Sequence, residues 1–580
     1  MRRTLHPSVR HLSRFAIAGL LALLASPLPT AAGVASNGHS PWSSSVSASN
    51  TVVSSPTTGG GYFDPNLKPA EGGCVPGHFN ANHSESWIAV KPGTESLVGS
   101  SKFFFENFST GYNFYLGSYS LQDGSTSNAI IPGYDCTTVG TQEMPPSWTN
   151  TTDPNVDFDT QGRVYQTMLP FNAFWTNLNP NGEITVSFSD DLGKHWVTGN
   201  GGLPLEKSPN ESSFSFHFED KQWIAVNHFL SNKFQDHVYA MWTVFNGCCN
   251  QAQIRVAVSR DRGLTFSPAI RITPPQVDQQ FNTFIYPGID SNGTLYIAYA
   301  AFPDRGGNSP GQVTRLSTLF VAKSTDDGQT FSSFVPAATV GLKDGNAGKL
   351  PNTTFRDGII ENFAVSPTFP GHLYLTYEAW DGTQFDVKFT QSTDGGGHWS
   401  TPVKVNDNVD QPGQPTDQFQ PSVAAGPNGG VAIAFYDRRA ACPSHRSIIP
   451  QDVGRLNFCI DVSVQAYNDS GPGAVPVGHN IRASTFTWDP QQPGLLVNPG
   501  GTTKDLQTLG GLGQMACPAA DDPCTKSFIG DYFGLAVSGS NIYTLAVSTH
   551  YPSSVTADDG STLYYQQEVL GTVSRADAGI

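Results

Sequence analysis

The sequence predicts an all-β chain, a β-propeller of four-stranded antiparallel blades with seven blades favoured, and three observations predict it. Turn-forming residues recur about every ten positions, between short runs rich in Val, Ile, Tyr, Phe and Thr. One short motif returns four times, with starts about 65 to 70 residues apart, a period that suits one blade with its loops. A strand, a Gly- or Asn-containing turn and a Tyr/Ala-rich strand also recur. The clearest example runs over residues 286–300, and similar pairs start near Ser86, Asp153, Lys221, Glu361, Gln420 and Ile529. These make seven units, and no amphipathic helix interrupts them.

Three segments are expected in order. Residues 1–35 read as a secretory signal: Arg2, Arg3, Arg10 and Arg14 precede an apolar run over 15–24, and small residues allow cleavage near Ala32 or Ala35. Residues 36–70 are Ser/Thr/Gly-rich and nearly uncharged, the composition of a flexible linker. Residues 71–580 are expected to be a single propeller, which grows by adding blades. The chain is therefore expected to be secreted, monomeric and without a membrane span. A net charge of −16 with no basic stripe excludes nucleic acid as a partner.

The recurring motif is S-x-D-x-G-x-x-(W/F). It comprises Ser189, Asp191, Gly193 and Trp196; Ser259, Asp261, Gly263 and Phe266; Ser324, Asp326, Gly328 and Phe331; and Ser392, Asp394, Gly396 and Trp399. The Asp carboxylate accepts turn amides, the Gly supplies a positive φ, and the aromatic ring anchors the turn in the blade. An alternating apolar strand precedes each motif, so each is a hairpin turn.

These residues resemble the Asp-box (BNR) repeats of sialidases and their relatives. The resemblance implies that the boxes join the two outer strands of a blade, on the face away from the site. Asp191, Asp261, Asp326 and Asp394 are then structural. It also makes six blades, the sialidase number, the alternative count. Activity is implied in two forms. One is a secreted exo-glycosidase acting on terminal acidic sugars of the sialic-acid type. The other is a non-catalytic propeller that binds glycan or protein.

The face opposite the boxes is the place for chemistry. First strands begin there with Glu85, Asp153, Asp220 and Lys221, Arg356 and Asp357, and Asp531 and Tyr532. Second strands end there with Asp304 and Arg305, Glu378, and the run Tyr436-Asp437-Arg438-Arg439. By resemblance to sialidases, Arg305, Arg356, Arg438 and Arg439 are candidates to grip a substrate carboxylate, a task suited to the guanidinium fork. Tyr436 or Tyr532 is the candidate nucleophile, Asp220 or Asp531 the acid/base, and Glu378 or Glu361 the partner; Asp437 completes the group. The Arg-Ile-Pro motif of sialidases is missing before the first box. The run Arg271-Ile272-Thr273-Pro274 follows the second box and reads as ordinary outer strand.

Eight cysteines in an exported chain point to disulfides. Cys442 with Cys459 and Cys517 with Cys524 are the closest credible pairs. Cys74 with Cys136 is open, as is the state of the adjacent Cys248 and Cys249. Two inserts, over 440–480 and 500–526, carry the close pairs and are expected to rim the site. Sequons at Asn82, Asn107, Asn150, Asn210, Asn292, Asn352 and Asn468 matter only in a glycosylating host. No cofactor and no catalytic metal is expected; Asp558-Asp559-Gly560 is the one turn with a Ca²⁺-like composition.

Overall fold

The computed structural model describes residues 42–54, 61–62, 75–76, 83–104, 114–122, 125–130, 150–172, 181–208, 217–246, 251–273, 281–302, 313–343, 350–352, 355, 357, 361–444, 453–490, 495–497, 503–505, 529–552 and 566–580. All belong to one compact unit, His39–Ile580. The signal expected over 1–35 lies outside them.

Seven antiparallel sheets form the blades of a propeller. From the innermost strand outwards, blade 1 comprises His83–Val90, Leu97–Phe104, Phe114–Gln122 and Ser125–Ile130. Blade 2 has a split inner strand, Asn150–Thr152 and Asp157–Phe158. Val164–Asn172 and Asn181–Ser189 follow, and two short outer pieces, Val197–Thr198 and Glu206–Lys207, complete it. Blade 3 is His217–Val226, Val238–Asn246, Gln251–Ser259 and Ile270–Arg271. Blade 4 is Phe281–Ile289, Leu295–Phe302, Val313–Ser324 and Val335–Lys343. Blade 5 is Glu361–Val365, Leu373–Trp380, Phe385–Ser392 and Val403–Lys404. Blade 6 is Gln418–Ala425, Gly430–Asp437, Asp461–Asp469 and Ala474–Arg482. Blade 7 takes Gly534–Val537, Asn541–Ser548 and Gln567–Ser574 from the end of the chain.

The outer strand of blade 7 is Ala48–Val52, paired antiparallel to Gln567–Ser574. This corrects the linker expected over 36–70, because part of it closes the ring. The segment before it is also fastened: Trp42 donates to Ser463 Oγ at 2.7 Å, and Arg439 and Arg482 lie against its ring. The seventh sheet decides the count against six blades. Each innermost strand packs on its neighbours right round the ring, and the last returns to the first through Gly534–Val537 against His83–Val90.

The strands form because their side chains alternate between blade faces, and both faces are covered by neighbouring blades. Second strands such as Gly430–Asp437 are therefore buried throughout and apolar up to Tyr436. Among the described residues the one α-helix is Arg575–Ala578, and no helix is long and apolar enough to cross a membrane. The insert expected over 440–480 is shorter than that, since blade 6 resumes at Asp461. The disulfide Cys442–Cys459 is present inside it. Cys74, Cys136, Cys248, Cys249, Cys517 and Cys524 lie outside the described residues.

The four repeated motifs are all turns between third and fourth strands. In each, the Ser hydroxyl donates to the Asp and accepts the Gly amide, as in Ser259 with Asp261 (2.8 Å) and Gly263 (2.8 Å). The Asp also accepts the amide two residues beyond the Gly. This face carries the seams between blades. Asp327 of blade 4 accepts from His237 and Tyr239 of blade 3, both at 2.8 Å. Asp469 of blade 6 accepts from His372 and Tyr374 of blade 5, both at 2.6 Å. His-x-Tyr at the start of a second strand is thus a clasp for the next blade.

Candidate functional site around the propeller axis

The innermost strands share an irregularity at the face opposite the repeated turns. Four of them lose register, between Ser84 and Trp87, Asp220 and Trp223, Thr283 and Tyr286, and Phe419 and Ser422. Each bulge holds a non-glycine residue in the left-handed region: Glu85 (φ 52°), Lys221 (51°), Phe284 (61°) and Gln420 (45°). Asp153 (59°) takes that conformation in blade 2 and Gly530 (99°) before blade 7. A side chain at Gly530 would meet the Glu85 amide nitrogen at 2.3 Å, so only glycine lets blades 7 and 1 approach there. Strain of this kind persists only where the surroundings enforce it, and it concentrates at functional sites.

The bulges gather a charged cluster. Lys102 Nζ lies 2.6 Å from Glu85 Oε2. It also donates to Thr152 Oγ1 at 3.2 Å, and that hydroxyl donates to Asp153 at 2.8 Å. Lys221 Nζ lies 3.4 Å from Asp531 and 3.7 Å from Asp153. Burial alone would lower the Lys221 ammonium, but Asp153, Asp531 and Glu85 outweigh it and hold it charged. Burial pushes the Glu85 carboxyl up, and Lys102 opposes this.

An aromatic group lies beside the charges. Trp223 meets Trp87, Tyr286 and Tyr532 edge to face, with centroids 4.7, 4.8 and 5.2 Å away. Four blades contribute one ring each. The Tyr532 hydroxyl donates to the Pro154 carbonyl at 3.0 Å, and burial raises its phenol well above the ordinary range, so it stays protonated.

A second acid pair, Asp357 and Glu378, is buried between blades 5 and 6. Glu378 Oε2 accepts the Gln420 amide at 2.8 Å, and Gln420 in turn donates to the Gly530 carbonyl at 2.8 Å. Burial and mutual repulsion push Glu378 well up, and burial pushes Asp357 the same way.

Of the remaining sequence candidates Asp220 stays at this ring, and the others separate from it. Asp220 accepts the Lys221 amide within its own bulge at 2.9 Å. Tyr436 is fully buried, with the rings of Phe419 and Phe533 at 5.4 and 4.6 Å. Asp437 accepts from Arg439 and Ser463, both at 2.7 Å. Arg438 is wholly buried and donates to the carbonyls of Pro351, Asn352 and Phe458. Arg439 donates to Asp437, Asp407 and Asn480. This corrects the expectation of a substrate clamp for both arginines, because their forks are taken up by protein acceptors. Arg305 and Arg356 lie outside the described residues. Asp191, Asp261, Asp326 and Asp394 lie on the opposite face, and Arg271 on the outer strand of blade 3 donates to the Thr273 carbonyl. Lys102, Trp87 and Trp223 had no sequence signal as site residues. Among the described residues no group of three or more His, Cys, Asp or Glu is placed to hold a metal.

No protein-family profile and no curated protein sequence matches the chain. Solved structures do. An α-L-arabinofuranosidase from Fusarium graminearum shares 13% identity over 70% of this chain and 98% of its own, with TM-score 0.41. An α-L-arabinanase from Penicillium chrysogenum shares 11% over 67% and 93%, with TM-score 0.40. A Hadza microbial sialidase shares 14% over 61% of this chain and 63% of its own, with TM-score 0.38. The identities and TM-scores are low, and the seven-bladed architecture stands on the strand pairing itself.

Proposed function

We propose that the chain is a secreted, sialidase-like propeller whose four repeated turns are Asp boxes and which hydrolyses glycosidic bonds at the axial ring. The observation that carries this reading is the ring of strained bulges that brings Glu85, Asp153 and Asp531 together beside four aromatic rings. Glycoside hydrolysis needs carboxyl groups held in different protonation states by their surroundings. Here the burial that raises Glu85 suits a proton donor, and the Lys221 pairing of Asp531 suits an ionised partner. Of the four rings Trp87 is the one with intermediate exposure, and it lies against the buried Trp223, Tyr286 and Tyr532. The acidic-sugar form of the reading draws its clamp from Arg305 and Arg356, since Arg438 and Arg439 are committed elsewhere.

The test is turnover of a panel of fluorogenic glycosides, including a sialoside, a glucuronide, an arabinofuranoside and a galactoside. Release of fluorophore that drops at least 100-fold in Asp531→Asn and Glu85→Gln, with the fold intact by circular dichroism, supports the reading. A folded protein that turns over none of them sinks the hydrolase. A specific observation then favours the non-catalytic glycan-binding reading: Lys221 already neutralises Asp153 and Asp531.

A further inference from the structure

Among the described residues the axial ring is rich in acceptors and both of its lysines are already paired. Lys102 is held by Glu85 and Thr152, and Lys221 by Asp531 and Asp153. Among the described residues, an anion entering the ring would find both lysines already paired with carboxylates.

Another carboxyl has lost its hydration without replacing it. Glu361, on the inner strand of blade 5, is 1% exposed, and neither of its oxygens has a well-formed hydrogen bond. The amides of Glu361 and Ala300 and the Lys221 charge act on it, and burial outweighs them. The Tyr286 hydroxyl, which faces Glu361 with Asn362 nearby, is equally unsatisfied, and so is Asn362 Nδ2. Tyr286 also belongs to the aromatic group, with Trp223 4.8 Å away. Buried groups in this condition are destabilising until a partner arrives. Two carboxyl acceptors, a phenol and an amide donor beside an aromatic face match the hydroxyls of a sugar ring, which donate and accept at once.

Resting on the glycan reading above, we infer that the axial ring takes an uncharged sugar, bound through hydroxyls that donate to Glu361 and accept from Tyr286 and Asn362. The acidic sugar expected from the sequence is the less suited ligand.

Matched pairs that differ only by a carboxylate test this: galactose against galacturonic acid, glucose against glucuronic acid, and mannose against mannuronic acid. Binding to the full-length protein is read by Trp fluorescence, because Trp87 and Trp223 lie at the axis, and by calorimetry. The neutral member is expected to bind at least tenfold tighter in one or more pairs. Glu361→Gln and Tyr286→Phe, checked for folding by circular dichroism, are expected to weaken it at least fivefold. If the acidic member binds as tightly or tighter, this inference fails while the glycan reading stands. If a neutral sugar binds but neither variant changes it, the inference fails through its residues. If no member of any pair binds, both fail.

Discussion

Lys221 and Asp531 stand 310 positions apart in the chain and meet at 3.4 Å across the propeller, blade 3 to blade 7. The contact joins a bulge on one inner strand to the residue after Gly530 on another. It is buried, so water does not share the burden of either charge.

Replacing Lys221 by Met should therefore cost about 3 kcal/mol or more, because Asp153 and Asp531 lose their shared cation and stay buried. Urea denaturation of the variant measures it. The double variant with Asp531→Asn should recover part of the loss, which distinguishes an uncompensated charge from a packing fault.

Stability should fall as pH rises through neutrality. Glu568, fully buried and hydrogen-bonded by Ser86 at 2.7 Å, is pushed up from 4.5 to about 8 by burial. Between those values the folded protein keeps a proton that the unfolded chain releases, so the stabilisation present at low pH is lost on the way to pH 8. Asp357 and Glu378 act in the same direction. Thermal melts of Glu568→Gln against the parent should coincide near pH 5 and separate above pH 8, with the variant higher. Equal pH slopes would refute the assignment.

Within a repeated turn the serine matters more than the residue at its edge. The Ser259 hydroxyl is buried and serves both Asp261 and Gly263, so Ser259→Ala should cost about 1–2 kcal/mol. Thr265 bonds the same Asp261 from an exposed position, and Thr265→Val should stay within about 0.5 kcal/mol. Differential scanning calorimetry of the two variants checks the ranking.

Reducing the Cys442–Cys459 bridge should lower stability by up to about 3 kcal/mol, the loop-closure value for a span of this size. A Cys442→Ser, Cys459→Ser double variant should melt below the parent when both are measured without reductant.

The blades were legible because each repeats its own turn chemistry. The Ser, Asp and Gly of the boxes act within a few residues of one another, and local hydrogen bonding leaves a local spelling. The inner strands were legible for a similar reason, and Ser86, Lys221 and Gln420 fall inside the strands they were expected to open. Ala48–Val52 was not legible. Its place comes from backbone pairing with a distant strand, which its mixed polar composition does not advertise. Arg438 and Arg439 misled for the opposite reason. Adjacent arginines after a strand read as a surface clamp, and only the carbonyls of residues 351, 352 and 458 turn Arg438 into an interior brace. Lys102 sits mid-sheet in a second strand, and its partner Glu85 is paired with it only by the bulge.

The strand Ala48–Val52 sets the order of events in biogenesis. Its neighbour Glu568 donates its amide to Ser54 Oγ across 514 positions, so the last blade cannot be completed until nearly the whole chain has emerged. Synthesis from the amino end delivers this segment long before its partner. A single unpaired edge must wait throughout, and long-range pairing of this kind is intrinsically slow. Closure of the ring thus waits for two segments 514 positions apart to meet.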